Sequence, residues 1–333
     1  MPKLPPQVLQ IPFYLYHSVE DARSGAKFGG TGFFVGYPTG IDETSLFIYA
    51  VTNWHVAVRD GASIIRVNKK GGGIDVFEFD PSEWSFIPNG PDIAVLLPSS
   101  LGGLNQAIHN FVPINVNMLL TESDVTIMGI NSGDDIFMLG RFVDHDGAAS
   151  NVPAARFGNI SVMPQVIKQP TGARSIPSFI LDVHSRTGYS GSPVFVYRTH
   201  GSDLTTVSLN LGAPGGHFVK LLGVHWGQFP EQWEIETGKA VAPEGATLAA
   251  DARYIRGLSG MTLAIPAWTL MEFLDMPKLK QQREQVAENL KQARGRGPIG
   301  EAAARPTNEA NPKDREDFNS LLRAAAQKRE PED

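Results

Sequence analysis

Short apolar segments separated by turn-forming residues are the feature that most restricts how this chain can fold. The clearest is the nearly continuous apolar run Leu46–Thr52, which predicts a strand buried on both faces. The predicted strands are 8–16, 31–36, 46–52, 63–68, 75–79, 91–97, 125–130, 136–138, 160–163, 178–183, 193–197, 218–226 and 261–265. Regular short strands with little helix between them indicate a β-barrel or sandwich.

The chain divides into one large domain and a tail. We expect the domain over 1–276, in two halves at about 8–110 and 120–276, and a closing helix near its end at 265–274. From residue 277 to 333 the composition changes to charged, helix-prone sequence followed by Gly, Pro, Ala and polar residues. This composition predicts a C-terminal tail that is partly helical and partly flexible.

Two further segments leave alternatives open. The polar loop at 143–155 carries Asp144, His145 and Asp146, and is a candidate insertion over a cleft. In the tail, an apolar stripe begins at Phe318 and recurs at i+3, i+4 and i+7. This stripe indicates either a helix packed on the surface or a docking helix for a partner protein.

Composition excludes several function classes. The net charge of −6 argues against a broad basic face for nucleic acid. The absence of cysteine excludes disulfides, thiolate metal sites and a cysteine nucleophile. No apolar run has the length of a membrane span, and the N-terminal segment lacks the apolar core of a signal peptide. We therefore expect a cytoplasmic protein with no membrane partner, and the spacing of the eight histidines predicts no metal site.

A serine between two glycines raises the question of nucleophilic catalysis. Ser190 lies in the turn Thr187–Pro193, whose sequence is TGYSGSP. A serine hydroxyl becomes a good nucleophile when a histidine takes its proton and a carboxylate orients that histidine. His55 follows a buried strand, and Asp92 opens an apolar one, where a buried carboxylate needs a hydrogen-bonding partner. The order His, Asp, Ser is one of the known triad orders.

Each of these residues also has a plain interpretation. His55 would be a core histidine, Asp92 a turn residue after Asn89 and Gly90, and Ser190 the hydroxyl of an ordinary glycine-rich turn. Three such coincidences in the right order are needed for the plain interpretation to hold throughout, so catalysis is the favoured hypothesis.

Three segments together resemble the catalytic boxes of the trypsin-like serine proteases, which have the chymotrypsin fold. They are Thr52–Val56 (TNWHV), Pro91–Val95 (PDIAV) and Gly188–Pro193 (GYSGSP). The segment Gly30–Val35 (GTGFFV) is similar to the strand that leads to the histidine in bacterial members. The resemblance spans roughly residues 10–275, and it implies an all-β fold of two six-stranded antiparallel barrels with the active site between them.

The resemblance also implies a role for each site residue. His55 would act as general base and then general acid, Asp92 would orient it, and Ser190 would attack the scissile carbonyl. The backbone N–H groups of Gly188 and Ser190 would form the oxyanion hole. The implied activity is that of a serine endopeptidase which forms an acyl-enzyme with protein or peptide substrates and needs neither cofactor nor metal.

A further segment, Gly223–Gly227 (GVHWG), bears on substrate specificity. Its sequence, together with that of the serine turn, is most similar to the bacterial glutamyl endopeptidases. That resemblance implies that Ser185 and His225 bind the carboxylate of a Glu or Asp at P1, and that Trp226 and Gly227 help to wall the pocket. The alternative is that His225 hydrogen-bonds Asp92 or packs in the cleft without selecting substrate.

Tyr189 departs from the family pattern. Many members have an acidic residue at this position, which pairs with a new N-terminal amine after zymogen cleavage, and tyrosine cannot make that ion pair. The departure indicates a bacterial-type enzyme that folds in its active form without cleavage. The alternative is a catalytically silent protease-fold module that binds peptide or a partner protein.

Overall fold

The structure, a computed structural model, describes residues 3–42, 45–141, 150–168, 175–183, 188–199, 218–234, 247–248 and 254–295. Two β-sheets are the main regular structure in this part of the chain, which confirms the predicted all-β fold class. The predictions made for Ser185, for Asp144, His145 and Asp146, and for the apolar stripe that begins at Phe318 lie outside the described residues.

The first sheet contains eight strands among the described residues. They are β1 (Pro12–Tyr16), β2 (Phe28–Pro38), β3 (Leu46–Thr52), β4 (Ile64–Asn68), β5 (Ile74–Phe77), β6 (Ser85–Phe86), β7 (Ala94–Leu96) and β8 (Ile114–Asn115). The order is β5-β4-β1-β2-β3-β7-β6, and β8 pairs in parallel with the end of β2, beyond the point where β1 stops. The count exceeds the predicted six because the two-residue strands β6 and β8 add to this sheet.

The second sheet contains seven strands within the ranges that the structure describes. They are β9 (Asp135–Arg141), β10 (Pro153–Lys168), β11 (Ser175–Asp182), β12 (Pro193–Arg198), β13 (Phe218–Glu234), β14 (Thr247–Leu248) and β15 (Tyr254–Pro266). The order is β11-β10-β9-β12-β13-β15-β14, and a further antiparallel pairing between β11 and β15 closes six of these strands into a ring. The predicted six-stranded antiparallel barrel is therefore present in this half, with β14 as an addition on β15.

Four α-helices accompany the sheets in the described part of the chain. They are α1 (Val19–Ser24), α2 (Glu122–Met128), α3 (Ala267–Leu274) and α4 (Pro277–Gly295). The strand predicted at 125–130 is wrong, because α2 covers most of it. Thr121 and Asp124 form a reciprocal capping box at the start of this helix, and Gly129, with a φ of 63°, ends it. The closing helix is confirmed by α3. None of the helices in the described ranges is long and apolar enough to cross a membrane.

One apolar core extends across both sheets. It contains Phe33 and Val51 from the first sheet together with Phe137 and Phe195 from the second, all at most 1% exposed. The rings of Phe137 and Phe195 stack with their centroids 4.8 Å apart. Because protein interiors are close-packed, this shared core fixes the two sheets relative to each other. Residues from both sheets can therefore form one rigid site.

The helix α4 also packs on the folded body, although it lies beyond the predicted domain boundary. Leu279 and Arg283 are only 5% and 6% exposed. The Arg283 guanidinium lies 3.9 Å from the centroid of the Tyr37 ring and donates hydrogen bonds to the Tyr49 hydroxyl at 3.2 Å and to Asp275 at 2.8 Å. The start of the predicted tail therefore packs against the folded body through Leu279 and Arg283.

Candidate active site

The sheet itself brings His55 and Asp92 together. Strands β3 and β7 are antiparallel neighbours, with Thr52 opposite Ala94, so the residues after the end of β3 lie beside those before the start of β7. His55 opens a short turn of π-helix, and its Nδ1 lies 2.5 Å from Oδ2 of Asp92. The other carboxylate oxygen accepts the backbone N–H of His55 at 2.9 Å.

The environment of this pair suits a base and the carboxylate that orients it. Asp92 is 1% exposed, whereas 18% of the His55 side chain is exposed. A carboxylate that accepts from Nδ1 holds the imidazole proton there and leaves Nε2 free to accept another. Asn53, which the sequence analysis did not single out, donates its side-chain N–H to the Asp92 carbonyl at 2.8 Å. Because Asn53 stands only two residues before His55, its position in the sequence could have indicated a role near the histidine.

The turn that carries Ser190 precedes β12 and is held in shape by backbone hydrogen bonds. Gly188 and Gly191 have φ values of 97° and 83°, in the left-handed region that favours glycine. The Ser192 N–H donates to the carbonyl of Tyr189 at 2.9 Å. On strand β13, the backbone carbonyl of His225 accepts the Gly191 N–H at 2.9 Å. The backbone N–H of His225 donates to the Ser192 carbonyl at 2.9 Å. The turn is therefore fastened to the second sheet.

Thr31, on strand β2, joins this turn to the first sheet. Its N–H donates to the carbonyl of Ser190 at 2.9 Å, and its hydroxyl donates to the carbonyl of Gly188 at 2.8 Å. Its own carbonyl accepts the hydroxyl of Thr52 at 2.7 Å, three residues before His55. The histidine and serine segments thus meet through one buried residue, which the sequence analysis passed over although it stands between two glycines.

Gly30 shows how closely the two segments approach. A Cβ at this position would lie 2.6 Å from the Val56 side chain and 3.2 Å from the carbonyl oxygen of Ser190. Because Val56 directly follows His55, the histidine and serine segments lie on either side of a residue that has no side chain. His55 is bonded to Asp92 through Nδ1, and no hydrogen bond joins its ring to Ser190 within the described residues. In substrate-free enzymes such bonds are commonly long and tighten on binding.

Tyr189 directly precedes Ser190 in the turn. It is fully buried, and its hydroxyl accepts a hydrogen bond from Nε of Arg156 at 2.9 Å. The guanidinium lies 5.2 Å from the centroid of the tyrosine ring. The ring also packs against Gly140, where a Cβ would come within 2.6 Å of it. The tyrosine is thus an integral part of a formed turn.

His225 lies beneath the same turn. It is 1% exposed, and its Nδ1–H donates to the Tyr189 carbonyl at 3.0 Å. Burial lowers its pKa from 6.5 to about 4, so the ring is neutral at pH 7. Its Nε2 has no hydrogen-bond partner among the described residues. The suggested hydrogen bond from His225 to Asp92 is therefore wrong for this structure, because its Nδ1–H bonds the Tyr189 carbonyl instead.

The other predicted pocket residues are placed differently. The Trp226 side chain is 7% exposed and lies in the core, where its indole N–H donates to the Ser178 hydroxyl at 2.9 Å. The pairing of β13 with β15 shifts register between His225 and Gly227, so Trp226 sits at a bulge. The structure therefore brings His55 and Asp92 together beside the Ser190 turn, and it places the Trp226 side chain in the core.

No protein-family model and no curated protein matches the chain. The MamO protease domain from Magnetospirillum magneticum, in its apo form, has 15% identity and a TM-score of 0.45, covering 82% of this chain and 100% of that one. The active form of the Rv3671c protease from M. tuberculosis has 16% identity and a TM-score of 0.42, covering 81% and 82%. Deg5 has 16% identity and a TM-score of 0.41, covering 80% and 88%.

These neighbours are at low identity, and the likeness carries no conclusion about activity. None of the three is described as a glutamyl endopeptidase, so that finer resemblance gains no support from them. Any activity has to be inferred from the geometry of His55, Asp92 and the Ser190 turn.

Proposed function

We propose that this protein is a serine endopeptidase that hydrolyses peptide bonds through Ser190, His55 and Asp92. The observation that carries the proposal is the 2.5 Å contact between His55 Nδ1 and the Asp92 carboxylate, which is almost completely buried. A buried carboxylate in this position stabilises the imidazolium that forms when Nε2 takes a proton. The formed turn at Ser190, fastened to both sheets, supports the same proposal.

The proposed reaction has two halves. Ser190 attacks the scissile carbonyl while His55 Nε2 accepts its proton, and the imidazolium then protonates the leaving amine. A water that gives its proton to His55 hydrolyses the acyl-enzyme. In each half the backbone N–H groups of Gly188 and Ser190 stabilise the developing oxyanion, and each such donor contributes about 3–4 kcal/mol in the transition state.

Hydrolysis of an unfolded protein substrate tests the proposal. Replacing Ser190 by Ala should lower kcat about 10⁶-fold, because the members of a triad act as a unit. The matched control is Ser192→Ala in the same turn. Its hydroxyl is buried and has no hydrogen-bond partner in the described part of the chain, so activity should persist. Inactive wild-type protein, or undiminished activity of Ser190→Ala, would contradict the proposal.

A preference for Glu or Asp at P1 remains a prediction, with His225 and Ser185 as its proposed ligands. A neutral His225 that donates Nδ1–H to Tyr189 can donate to a carboxylate only after Nε2 is protonated, and its low pKa opposes this at pH 7. Any such preference should therefore be stronger at pH 5 than at pH 8. A peptide-library digest at both pH values tests this, and no acidic enrichment at either would refute it.

A further inference from the structure

Two side chains that take no part in the proposed reaction, one from each sheet, hold the nucleophile turn. Thr31 is completely buried, and its hydroxyl donates to the Gly188 carbonyl at 2.8 Å while accepting the Arg141 N–H at 3.4 Å. From the second sheet, Arg156 donates to the Tyr189 hydroxyl at 2.9 Å and lies over its ring. Both contacts act on the peptide between the two proposed oxyanion donors.

This peptide needs an anchor for a physical reason. Gly188 has a φ of 97°, and glycine populates both signs of φ about equally, so the conformation is not fixed by the residue itself. The N–H of Gly188 must nevertheless point at a defined place, because stabilisation of an oxyanion depends on preorganised donors. The carbonyl of the same residue is the group that Thr31 holds.

The acidic residue of the resembled family would anchor this turn by an ion pair, and Tyr189 cannot. We infer that Thr31 and Arg156 are positioning residues that hold the Gly188–Ser190 turn in its catalytic conformation in place of that ion pair. The inference rests on the proposed function, because it concerns the oxyanion hole of the same site. It implies that the turn forms without cleavage of the chain.

Thr31 is tested by a pair of variants. Thr31→Val removes the hydroxyl and keeps the shape and the backbone N–H that bonds Ser190, whereas Thr31→Ser keeps the hydroxyl. We expect kcat of Thr31→Val to fall about 10- to 100-fold, the size of effect that a small misplacement of catalytic groups produces. KM should stay within about twofold, because ground-state binding is untouched. Thr31→Ser should restore most of the wild-type kcat.

A second measurement separates positioning from a merely structural role. A peptide boronic acid forms a tetrahedral adduct with the serine that places an oxygen in the oxyanion hole. Its affinity should fall by the same factor as kcat in Thr31→Val, since transition-state analogues share the interactions of the transition state. The affinity for a product peptide, which forms no adduct, should be unchanged.

Arg156 and Tyr189 provide an independent pair. Arg156→Met and Tyr189→Phe each remove the 2.9 Å hydrogen bond and retain much of the packing. Each should lower kcat, and the double variant should lower it no further than the more damaging single one, because both remove the same contact. Arg156→Lys, which keeps a donor, should lie between wild type and Arg156→Met.

The outcomes distinguish this inference from the proposed function. Wild-type protein that neither hydrolyses peptides nor binds the boronic acid would overturn the proposed function. Active wild-type protein, with kcat and boronic acid affinity unchanged in Thr31→Val, would overturn the inference and leave the function standing. If Thr31→Val does not fold, as judged by circular dichroism, Arg156→Met decides in the same way, and an unchanged kcat there overturns the inference.

Discussion

Replacing Asp92 by Asn probes the His55–Asp92 pair with almost no change of shape. The carboxylate accepts two hydrogen bonds from one residue, Nδ1–H of His55 at 2.5 Å and its backbone N–H at 2.9 Å. An amide has one oxygen and one NH₂ group, so it can accept only one of the two. If the oxygen stays on the backbone N–H, the NH₂ group faces Nδ1, and the imidazole proton must move to Nε2.

A proton on Nε2 blocks the transfer from Ser190. The equivalent change in Ser-His-Asp enzymes lowers kcat about 10⁴-fold, which corresponds to about 5 kcal/mol in the barrier. Substrate binding does not involve Asp92, so KM should change little. Stability should fall by about 1–3 kcal/mol, since a buried hydrogen-bonding group is left imperfectly paired.

Initial rates with a peptide substrate measure the effect, and thermal unfolding confirms that the variant is folded at the assay temperature. The matched control is Asp60→Asn. Asp60 lies near the same turn, but its side chain is 45% exposed and pairs with Arg59, so kcat should stay within about twofold. A loss of less than tenfold in folded Asp92→Asn would refute the assignment of Asp92 as the residue that orients His55.

Three further outcomes follow from other contacts. His225 has a pKa of about 4 when folded against 6.5 unfolded, so the unfolded chain binds more protons between these values. The free energy of unfolding is therefore unaffected by this titration above pH 6.5, where the ring is neutral in both states. It falls by about 3 kcal/mol as the pH is lowered from 6.5 to 4. Denaturant titrations between pH 4 and 6.5 should show this dependence of the unfolding free energy on pH in wild type and not in His225→Asn. The same dependence in both proteins would contradict the prediction. Gly191→Ala would place Cβ 2.0 Å from a backbone carbonyl oxygen at a φ of 83°, and should cost about 3 kcal/mol or more in unfolding free energy. Gly61→Ala, at a φ of 71° with open space around it, should cost only about 1 kcal/mol, and equal costs would remove the steric explanation. Arg283→Met should lower the free energy of unfolding by about 2 kcal/mol, because it loses the contact with the Tyr37 ring and the hydrogen bond to the Leu274 carbonyl. Its kcat should be unchanged. An unaltered thermal midpoint would show that Arg283 does not anchor α4.

Features set by local pattern could be predicted from the sequence. The apolar run at Leu46–Thr52 is β3 with the predicted bounds, and the strand after the serine turn begins at Pro193 as expected. The contact between His55 and Asp92 was expected from the order of the three candidate residues and from the family resemblance, and the structure has it between the ends of two neighbouring strands. The helix α2 was missed because its apolar segment also satisfies a strand pattern, and the capping box at Thr121 decides for helix.

Features set by contacts between distant parts of the chain could not be predicted. The hydrogen bond from Thr31 to Gly188 joins residues 157 positions apart, and no local pattern specifies it. Arg156 is likewise one of many arginines in the sequence until the fold places it on Tyr189. The position of Trp226 depends on a register shift between β13 and β15, which sequence periodicity does not reveal.

Reaction with a fluorophosphonate, followed by mass-spectrometric mapping of the modified peptide, tests the central claim most directly. Only an activated serine reacts readily, because an ordinary hydroxyl is a poor nucleophile at neutral pH. We predict a single adduct on Ser190 in wild type, no adduct in Ser190→Ala, and strongly slowed labelling in Asp92→Asn. Wild-type protein that is not labelled, or is labelled elsewhere, would contradict the claim that His55 and Asp92 activate Ser190.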